Sequence, residues 1–389
     1  MIAHTWKLAE TKKILLVLLL IFLSSIAING VPIHTTSTEE IDGFSETNEN
    51  LSVVMRSYPI LKRLTQYFAT LNNRDLLSMR GTCKSLHRLA NKLLNVRNKP
   101  IIITNGTISG AADQQISSTY EENDTNDFLM LHRWHPEVAL IFDDCNNPTP
   151  IEYMPFDCAY FQIIPYDNRF DILLNFPTGG MLANNHPRSG VVFPKMYDAT
   201  VKFIFHDDIN NWYFSTDDKS NTGLREAKLI LFFGVSVLLP YDLESALNIE
   251  IAPFIEGQSI PICYVLHLDE MEFNSESLLL MMFSGRNIET STFLVESTDE
   301  EKLRENFSEW KFELDFLESH HIIAFHFTKE SMESMNSETI FREIFGIHPL
   351  TLRLSASDLA ETGLIYCNST TKARKNPGSV YAIVGSKKF

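Results

Sequence analysis

Short apolar runs, each about as long as a β-strand and bounded by turn-forming residues, recur along most of this 389-residue chain. The clearest are Val138 to Phe142, Phe161 to Ile164 and Phe170 to Leu174, and Ile101 to Ile103 forms a shorter one. Runs of this length between Pro, Asn and Asp favour buried strands over long helices. The 27 phenylalanines also require extended apolar layers, because aromatic side chains are costly to leave in water. Residues 99–389 are therefore expected to form a mixed strand-helix domain of the α+β or α/β class.

The apolar residues between 58 and 98 follow a helical period instead. They recur at three- and four-residue steps in three short runs, and Asn72-Asn73 and Gly81-Thr82 interrupt the pattern between them. Three short helices cannot each bury an apolar face alone, so they should pack as a small bundle that leaves some apolar surface for a partner. The apolar positions are Leu61, Leu64, Phe68 and Leu71 in the first run, Leu76 and Leu77 in the second, and Cys83, Leu86, Ala90 and Leu93 in the third.

The stretch from Tyr58 to Asn98 resembles an F-box in the order and spacing of its residues. The residues that carry the resemblance are Tyr58-Pro59, Leu61, Leu64, Asp75-Leu76-Leu77, Arg80, Cys83-Lys84 and Leu86. The resemblance implies that residues 51–98 form a three-helix module that binds a Skp-type adaptor and, through it, a cullin scaffold. It also implies that the adaptor-binding surface is formed by Pro59, Leu61, Leu64, Leu76, Leu77 and Leu86.

The later half of the chain shows a weaker periodicity that resembles an irregular leucine-rich repeat. Pairs of apolar residues two positions apart recur every 26 to 37 residues, near or above the usual repeat length of roughly 20–29 residues. Helices predicted for 275–283, 299–317 and 337–345 would separate the strands, and stacked strand-helix units would present one concave face. The pairs are Phe203/Phe205, Leu229/Leu231, Leu266/Leu268, Phe293/Val295, Phe325/Phe327 and Leu352/Leu354. This architecture is similar to the nematode families of F-box proteins, whose divergent second domains are thought to select substrates.

The N-terminus points to a different compartment. An uncharged apolar run, Ile14 to Ile28, follows Lys7, Lys12 and Lys13, which is the pattern of a secretory signal peptide within residues 1–30. If the run is not cleaved, its uncharged stretch extends to Ile33 and is barely long enough for a signal-anchor. Residues 31–50 are polar and acidic, as in a linker. These signals indicate the secretory pathway or a membrane, whereas an F-box indicates the cytoplasm or nucleus, and the sequence leaves the localisation open.

Composition limits the possible partners and cofactors. The net charge of −16, from 33 basic and 49 acidic residues, would repel nucleic acid over most of the surface. The cysteines are odd in number, widely spaced and free of any C-x-x-C pair, which argues against a zinc site or a dense disulfide framework. They are Cys83, Cys145, Cys158, Cys263 and Cys367.

No motif for bond chemistry stands out, so no catalytic residue, cofactor or metal site is predicted. His132 to His135 lacks the glutamate and the four-residue spacing of a zinc hydrolase helix. Asp143-Asp144 and His206 to Asp208 follow predicted strands and are interpreted as solvated turns, and His320-His321 has no evident nucleophile or carboxylate nearby.

These patterns together predict a non-enzymatic adaptor that recruits a ubiquitin ligase through its helical module and an unidentified protein substrate through residues 99–389. The alternative is a secreted or membrane-anchored recognition protein, such as a parasite effector, in which the helical module is only structural.

Overall fold

The computed structural model describes residue 71 and residues 73–81, 84–104, 107–109, 115–116, 136–142, 159–165, 170–175, 189–196, 198–207, 211–214, 227–236, 259–268, 277–356, 360–368 and 375–389. The apolar run at 14–33, the linker at 31–50, and Pro59, Leu61 and Leu64 lie outside these residues. The chain divides into two compact units, 1–91 and 92–389. Within the part of the chain that the structure describes, no helix is both long and apolar enough to cross a membrane.

Two helices occupy the positions of the second and third predicted helical runs. Helix α1 spans Asn73–Arg80, and helix α2 spans Lys84–Asn98. Gly81 follows the last residue of α1, and its amide donates to the Ser78 carbonyl at 3.4 Å. The apolar residues of α2 recur every three or four positions and form one buried face of Leu86, Ala90, Leu93 and Leu94.

The first sheet is formed by the strands β1 to β7. Its order is β3-β2-β1-β7-β4-β5-β6, and only the β4/β5 pair is parallel. The predicted strands at 101–103, 138–142, 161–164 and 170–174 all lie in it. The bounds are Ile101–Thr104 for β1, Thr107–Ser109 for β2, Gln115–Ile116 for β3, Pro136–Phe142 for β4, Ala159–Pro165 for β5, Phe170–Asn175 for β6 and Ser189–Pro194 for β7.

The second sheet contains the longest apolar strands. Its order is β17-β16-β11-β10-β12-β8-β9, and only β10 and β11 run parallel. Strands β10, β11 and β12 each lie between two hydrogen-bonded neighbours. They carry apolar side chains on both faces, because both faces are buried. The bounds are Thr200–Asp207 for β8, Asn211–Phe214 for β9, Ala227–Ser236 for β10, Ser259–Leu268 for β11, Ser277–Ser284 for β12, Ala360–Asn368 for β16 and Lys375–Pro377 for β17.

The third sheet has the order β13-β18-β14-β15 and carries two helices on one face. Helix α3 connects β13 to β14, and helix α4 connects β14 to β15 as the crossover of a parallel strand pair. The other face of the sheet joins the first two sheets in a shared core of Phe, Leu, Ile, Val and Met side chains. The bounds are Ile288–Leu294 for β13, Glu300–Glu313 for α3, His320–Lys329 for β14, Ser337–Phe345 for α4, Leu350–Leu354 for β15 and Val380–Lys387 for β18.

Both helices of the third sheet confirm the helices predicted for 299–317 and 337–345, and local signals explain their ends. Asp299 caps α3, because its carboxylate accepts from the Lys302 amide at 3.0 Å. Gly346 ends α4 in the left-handed conformation with φ 75°. Between the helices and the sheet lies an aromatic layer in which the Phe307 ring contacts those of Trp310 and Phe341.

The structure corrects two predictions for the later half. Residues 275–283 were predicted to be helical, but β12 occupies them, because a short, uniformly apolar run does not distinguish a buried strand from a helix. The repeat-like solenoid is also wrong for these strands. The Phe203 and Leu229 strands, β8 and β10, are separated by β12, and both pair with it antiparallel. Among the described strands from β8 onward, only the β10/β11 and β14/β15 pairs have the parallel arrangement that a stacked repeat requires.

Candidate partner-binding site

The predicted adaptor-binding leucines that the structure describes differ in exposure. Leu76 is fully buried and Leu86 is 8% exposed, whereas Leu77 is half-buried. A side chain with no exposed area can support a binding surface but cannot form it, so Leu77 is the member of this group that is placed to contact a partner. The remaining three predicted positions, Pro59, Leu61 and Leu64, lie outside the described residues.

The connection between α1 and α2 is held by a histidine. The Nδ1 atom of His87 lies 3.2 Å from the carbonyl oxygen of Arg80, the last residue of α1. Since a carbonyl can only accept, Nδ1 carries the donated hydrogen, and Nε2 of the neutral ring then accepts from the Asn91 amide at 3.1 Å. The Arg80 carbonyl is one of those that a helix end leaves without an intrahelical partner, and His87 supplies a donor for it.

A basic cavity of about 410 Å³ lies at this connection. It is lined by Arg80, Gly81, Lys84, His87 and Arg88. Lys84 and Arg88 are exposed and lie one helical turn apart on α2. They form no ion pair with any residue in the part of the chain that the structure describes. Like charges at this spacing destabilise a helix by about 0.2–0.5 kcal/mol, so an anionic group in the cavity would relieve their repulsion.

The charge of this segment contrasts with that of the chain. Residues 73–91 contain four basic residues, Arg74, Arg80, Lys84 and Arg88, against one acidic residue, Asp75, which gives a net charge of +3. Because the whole chain carries −16, the remaining residues carry −19. The segment is therefore a small positive region in a negatively charged protein.

A second cluster of charged side chains lies in the third sheet and is partly buried. His326 on β14 places Nε2 3.0 Å from Oε1 of Glu333, and both side chains are fully buried. Nδ1 of His326 lies 3.3 Å from the Thr351 hydroxyl and 3.7 Å from Glu338, whose carboxylate accepts from Arg353 at 2.7 Å. The cluster pairs two carboxylates with an imidazole and a guanidinium. This pairing offsets the free-energy cost of removing the charged groups from solvent.

The cluster perturbs the ionisation of its members. Burial alone would lower the pKa of His326, but contacts with Glu333 and Glu338 outweigh it and raise that pKa. Burial would raise the pKa of Glu333, but the bonds from His326 and Ser337 outweigh it and lower that pKa. Burial is also outweighed at Glu338, where His326 and Arg353 lower the pKa to about 2. The buried groups are therefore held as an ionic network.

This network lacks the arrangement needed for nucleophilic catalysis. The Ser337 hydroxyl donates to the Glu333 carboxylate at 2.8 Å rather than to His326, so the histidine is not placed to take its proton. Its oxygen accepts from the Tyr381 hydroxyl at 2.5 Å, and the Tyr381 ring stacks on His326 with centroids 4.0 Å apart. Because His326, Ser337 and Tyr381 are fully buried, a substrate cannot reach them. The network instead joins α4 to β14, β15 and β18 of the sheet.

Other reactive side chains are also buried or partnered within the sheets. Nδ1 of His320 forms a hydrogen bond with the Ser319 hydroxyl at 2.8 Å, and burial lowers the pKa of His320. Burial, together with Lys99 and Lys388, lowers the pKa of His321 to about 4. Burial raises the pKa of the Cys263 thiol and keeps it protonated. Among the described residues, no group of three or more His, Cys, Asp or Glu side chains could hold a metal ion. Asp143 and Asp144 lie outside those residues.

Sequence reasoning did not single out Lys84 and Arg88 as a binding pair or His326 as a buried ion. The four-residue spacing of Lys84 and Arg88 on a predicted helix was a usable signal for the first. No local signal marked His326 as a buried ion, because Glu333 and Arg353 follow it in sequence and come close to it only in the folded sheet.

Comparison with known protein families and with curated proteins found no match to this chain.

Proposed function

We propose that the protein is a substrate-recognition adaptor of a cullin-RING ubiquitin ligase of the Skp-cullin-F-box type. Residues 51–98 would bind a Skp-type adaptor, and residues 99–389 would bind a protein substrate. The observation that carries the proposal is the F-box-like order of residues from Tyr58 to Leu86. Helices α1 and α2, separated by a break at Gly81, are compatible with it.

The proposed mechanism is proximity rather than bond chemistry. The adaptor would bind the substrate through one unit and the ligase scaffold through the other. The bound substrate then experiences a high effective concentration of the conjugating enzyme on the same scaffold. The mixed strand-helix unit from 92 to 389 is large enough to offer a substrate-binding surface of its own. Lysine side chains of the bound substrate would then be modified by the recruited enzyme.

The test is binding of the full chain to a purified Skp-type adaptor, measured by surface plasmon resonance. A Leu77→Ala variant should weaken binding, because Leu77 is placed to contact the partner. The variant should stay folded, since a half-buried side chain can be truncated without opening the core. A Leu76→Ala variant is expected to lose stability as well, since that side chain is fully buried. The double variant Pro59→Ala, Leu64→Ala extends the test to the first helical run.

A matched control is the double variant Phe312→Ala, Met335→Ala, which removes two apolar side chains that are 93% and 96% exposed in the larger unit. It should bind the adaptor as the unmodified chain does. If the unmodified, folded chain does not bind, the adaptor proposal fails.

The apolar run from Ile14 to Ile28 supports a second candidate, a secreted or membrane-anchored recognition protein. Expression in a eukaryotic secretory host separates the two candidates. A processed N-terminus and glycans on Asn-x-Ser/Thr sites, such as Asn306, would favour the secreted protein. An intact N-terminus without glycans would remove it.

A further inference from the structure

We infer that the basic cavity between α1 and α2 binds a short run of carboxylate side chains, supplied by an acidic peptide segment of the Skp-type adaptor. The identity of this partner rests on the proposed function, whereas the chemistry of the ligand rests on the cavity itself. The cavity is lined by Arg80, Gly81, Lys84, His87 and Arg88 and has a volume of about 410 Å³.

The charges of the cavity determine the sign of the ligand. Lys84 and Arg88 are exposed cations one turn apart, and Arg80 lines the same cavity. Together the two exposed side chains present one rigid guanidinium fork and one ammonium, which suits carboxylates that differ in position and angle. Neither is engaged in an ion pair with the residues that the structure describes.

The geometry of the cavity supports a preformed site. His87 ties the end of α1 to the first turns of α2 through Arg80, and Asn91 holds the His87 ring. The end of α1 and the α2 residues that carry His87 and Asn91 are therefore linked by hydrogen bonds in the absence of a ligand. A preformed site loses less conformational entropy on binding than one that must be ordered.

The net charge of the chain favours a short ligand over a long one. Residues 73–91 carry +3, whereas the rest of the chain carries −19. An extended polyanion such as a nucleic acid is repelled by a chain whose net charge is −16. A few adjacent Asp or Glu side chains carry less charge and can occupy the cavity, and this favours an acidic peptide over a nucleic acid.

The first arm of the test uses the full chain and a fluorescein-labelled peptide of alternating Asp and Glu, with binding followed by fluorescence anisotropy. We expect saturable binding at low salt that weakens at high salt, because the groups involved are solvent-exposed. Charge reversal in Lys84→Glu, Arg88→Glu should weaken it by about tenfold or more, since two attractive pairs become repulsive. The neutral variant Lys84→Gln, Arg88→Gln should show a smaller loss of peptide affinity. It replaces the charge-reversed variant in the test if that variant does not fold.

The matched control is Lys302→Glu, Arg342→Glu, which makes the same charge change at two exposed positions on α3 and α4. It should leave peptide binding unchanged. An oligonucleotide of the same net charge is the competing ligand. The inference is overturned if the peptide does not bind, if the control loses as much affinity as Lys84→Glu, Arg88→Glu, or if the oligonucleotide binds more tightly than the peptide.

The second arm repeats the measurement with a purified Skp-type adaptor in place of the peptide. Binding that Lys84→Glu, Arg88→Glu loses and the control retains supports the assignment of the partner. Adaptor binding that is unchanged in the charge-reversed variant overturns that assignment but leaves the adaptor function intact. Peptide binding without any adaptor binding supports the ligand class and removes the adaptor function.

Discussion

Replacing Glu333 with Gln tests the buried ionic network in the third sheet. Removing one partner from a buried ion pair costs about 3–5 kcal/mol of unfolding free energy. Glutamine keeps an acceptor near Ser337, and Glu338 remains 3.7 Å from Nδ1 of His326. Because these contacts survive and the imidazole can release its proton, we expect a smaller loss of about 2–3 kcal/mol.

The loss should depend on pH. A raised pKa means that the contribution of His326 is fully present below its unfolded value of 6.5 and is lost as pH rises through the folded value. Lowered pKa values mean that the contributions of Glu333 and Glu338 are present above 4.5 and decline as pH falls, for Glu338 toward about 2. The network should therefore stabilise the protein most between pH 4.5 and 6.5.

Urea unfolding followed by circular dichroism at about pH 5.5 and about pH 8.5 measures both effects. The Glu333→Gln variant should lose more stability at the lower pH, where His326 is charged. The matched control is Glu330→Gln, an exposed position three residues earlier. A double-mutant cycle with His326→Gln should give a coupling free energy of about 1–3 kcal/mol. The reasoning is refuted if Glu333→Gln behaves like the control or if the coupling is near zero.

Three further predictions concern the sheets and their helices. Burial outweighs Lys195 and Lys202 and raises the pKa of Glu137 to about 7, so its contribution to stability falls as pH rises from 4.5 through that value. Glu137→Gln should therefore stabilise the protein by about 1–2 kcal/mol at about pH 8.5 and little at about pH 5.5, and urea midpoints that move equally at both would contradict this. Iodoacetamide should label the buried Cys263 only after unfolding, which peptide mapping can follow, and rapid labelling of the native protein would show that the thiol is accessible. Phe307→Ala should cost about 3–5 kcal/mol in thermal unfolding because its side chain is fully buried. The 93% exposed Phe312 on the same helix should cost under about 0.5 kcal/mol when truncated, and similar losses for the two would contradict the packing.

Local patterns predicted most helices and several strands correctly. Leu303, Phe307 and Trp310 recur every three or four positions and form the buried face of α3, and the apolar runs at 138–142 and 161–164 marked β4 and β5. Each of these signals depends on neighbours within about one turn of helix or a few residues of strand. The apolar run of β12 was assigned to the wrong element because its length and composition suit both.

Part of the candidate site could be predicted from the sequence. The break at Gly81 and the runs on either side indicated two helices, and the spacing of Lys84 and Arg88 placed them on one face of the second. The bond from His87 to the Arg80 carbonyl was not predictable, because it depends on the angle between the helices. Arg80, Lys84 and His87 all line the same cavity.

The sequence by itself determined where α1 to α4 form, which faces of them are apolar, and that residues 73–91 are basic in an acidic chain. Only the tertiary structure decided which strands are neighbours, because a strand's alternation specifies its faces but not its partners. Phe203 and Leu229 share a period yet lie on strands separated by β12. The tertiary structure also decided that His326 is an enclosed ion, since the carboxylates that raise its pKa follow it by seven and twelve residues and approach only when α4 packs on the sheet.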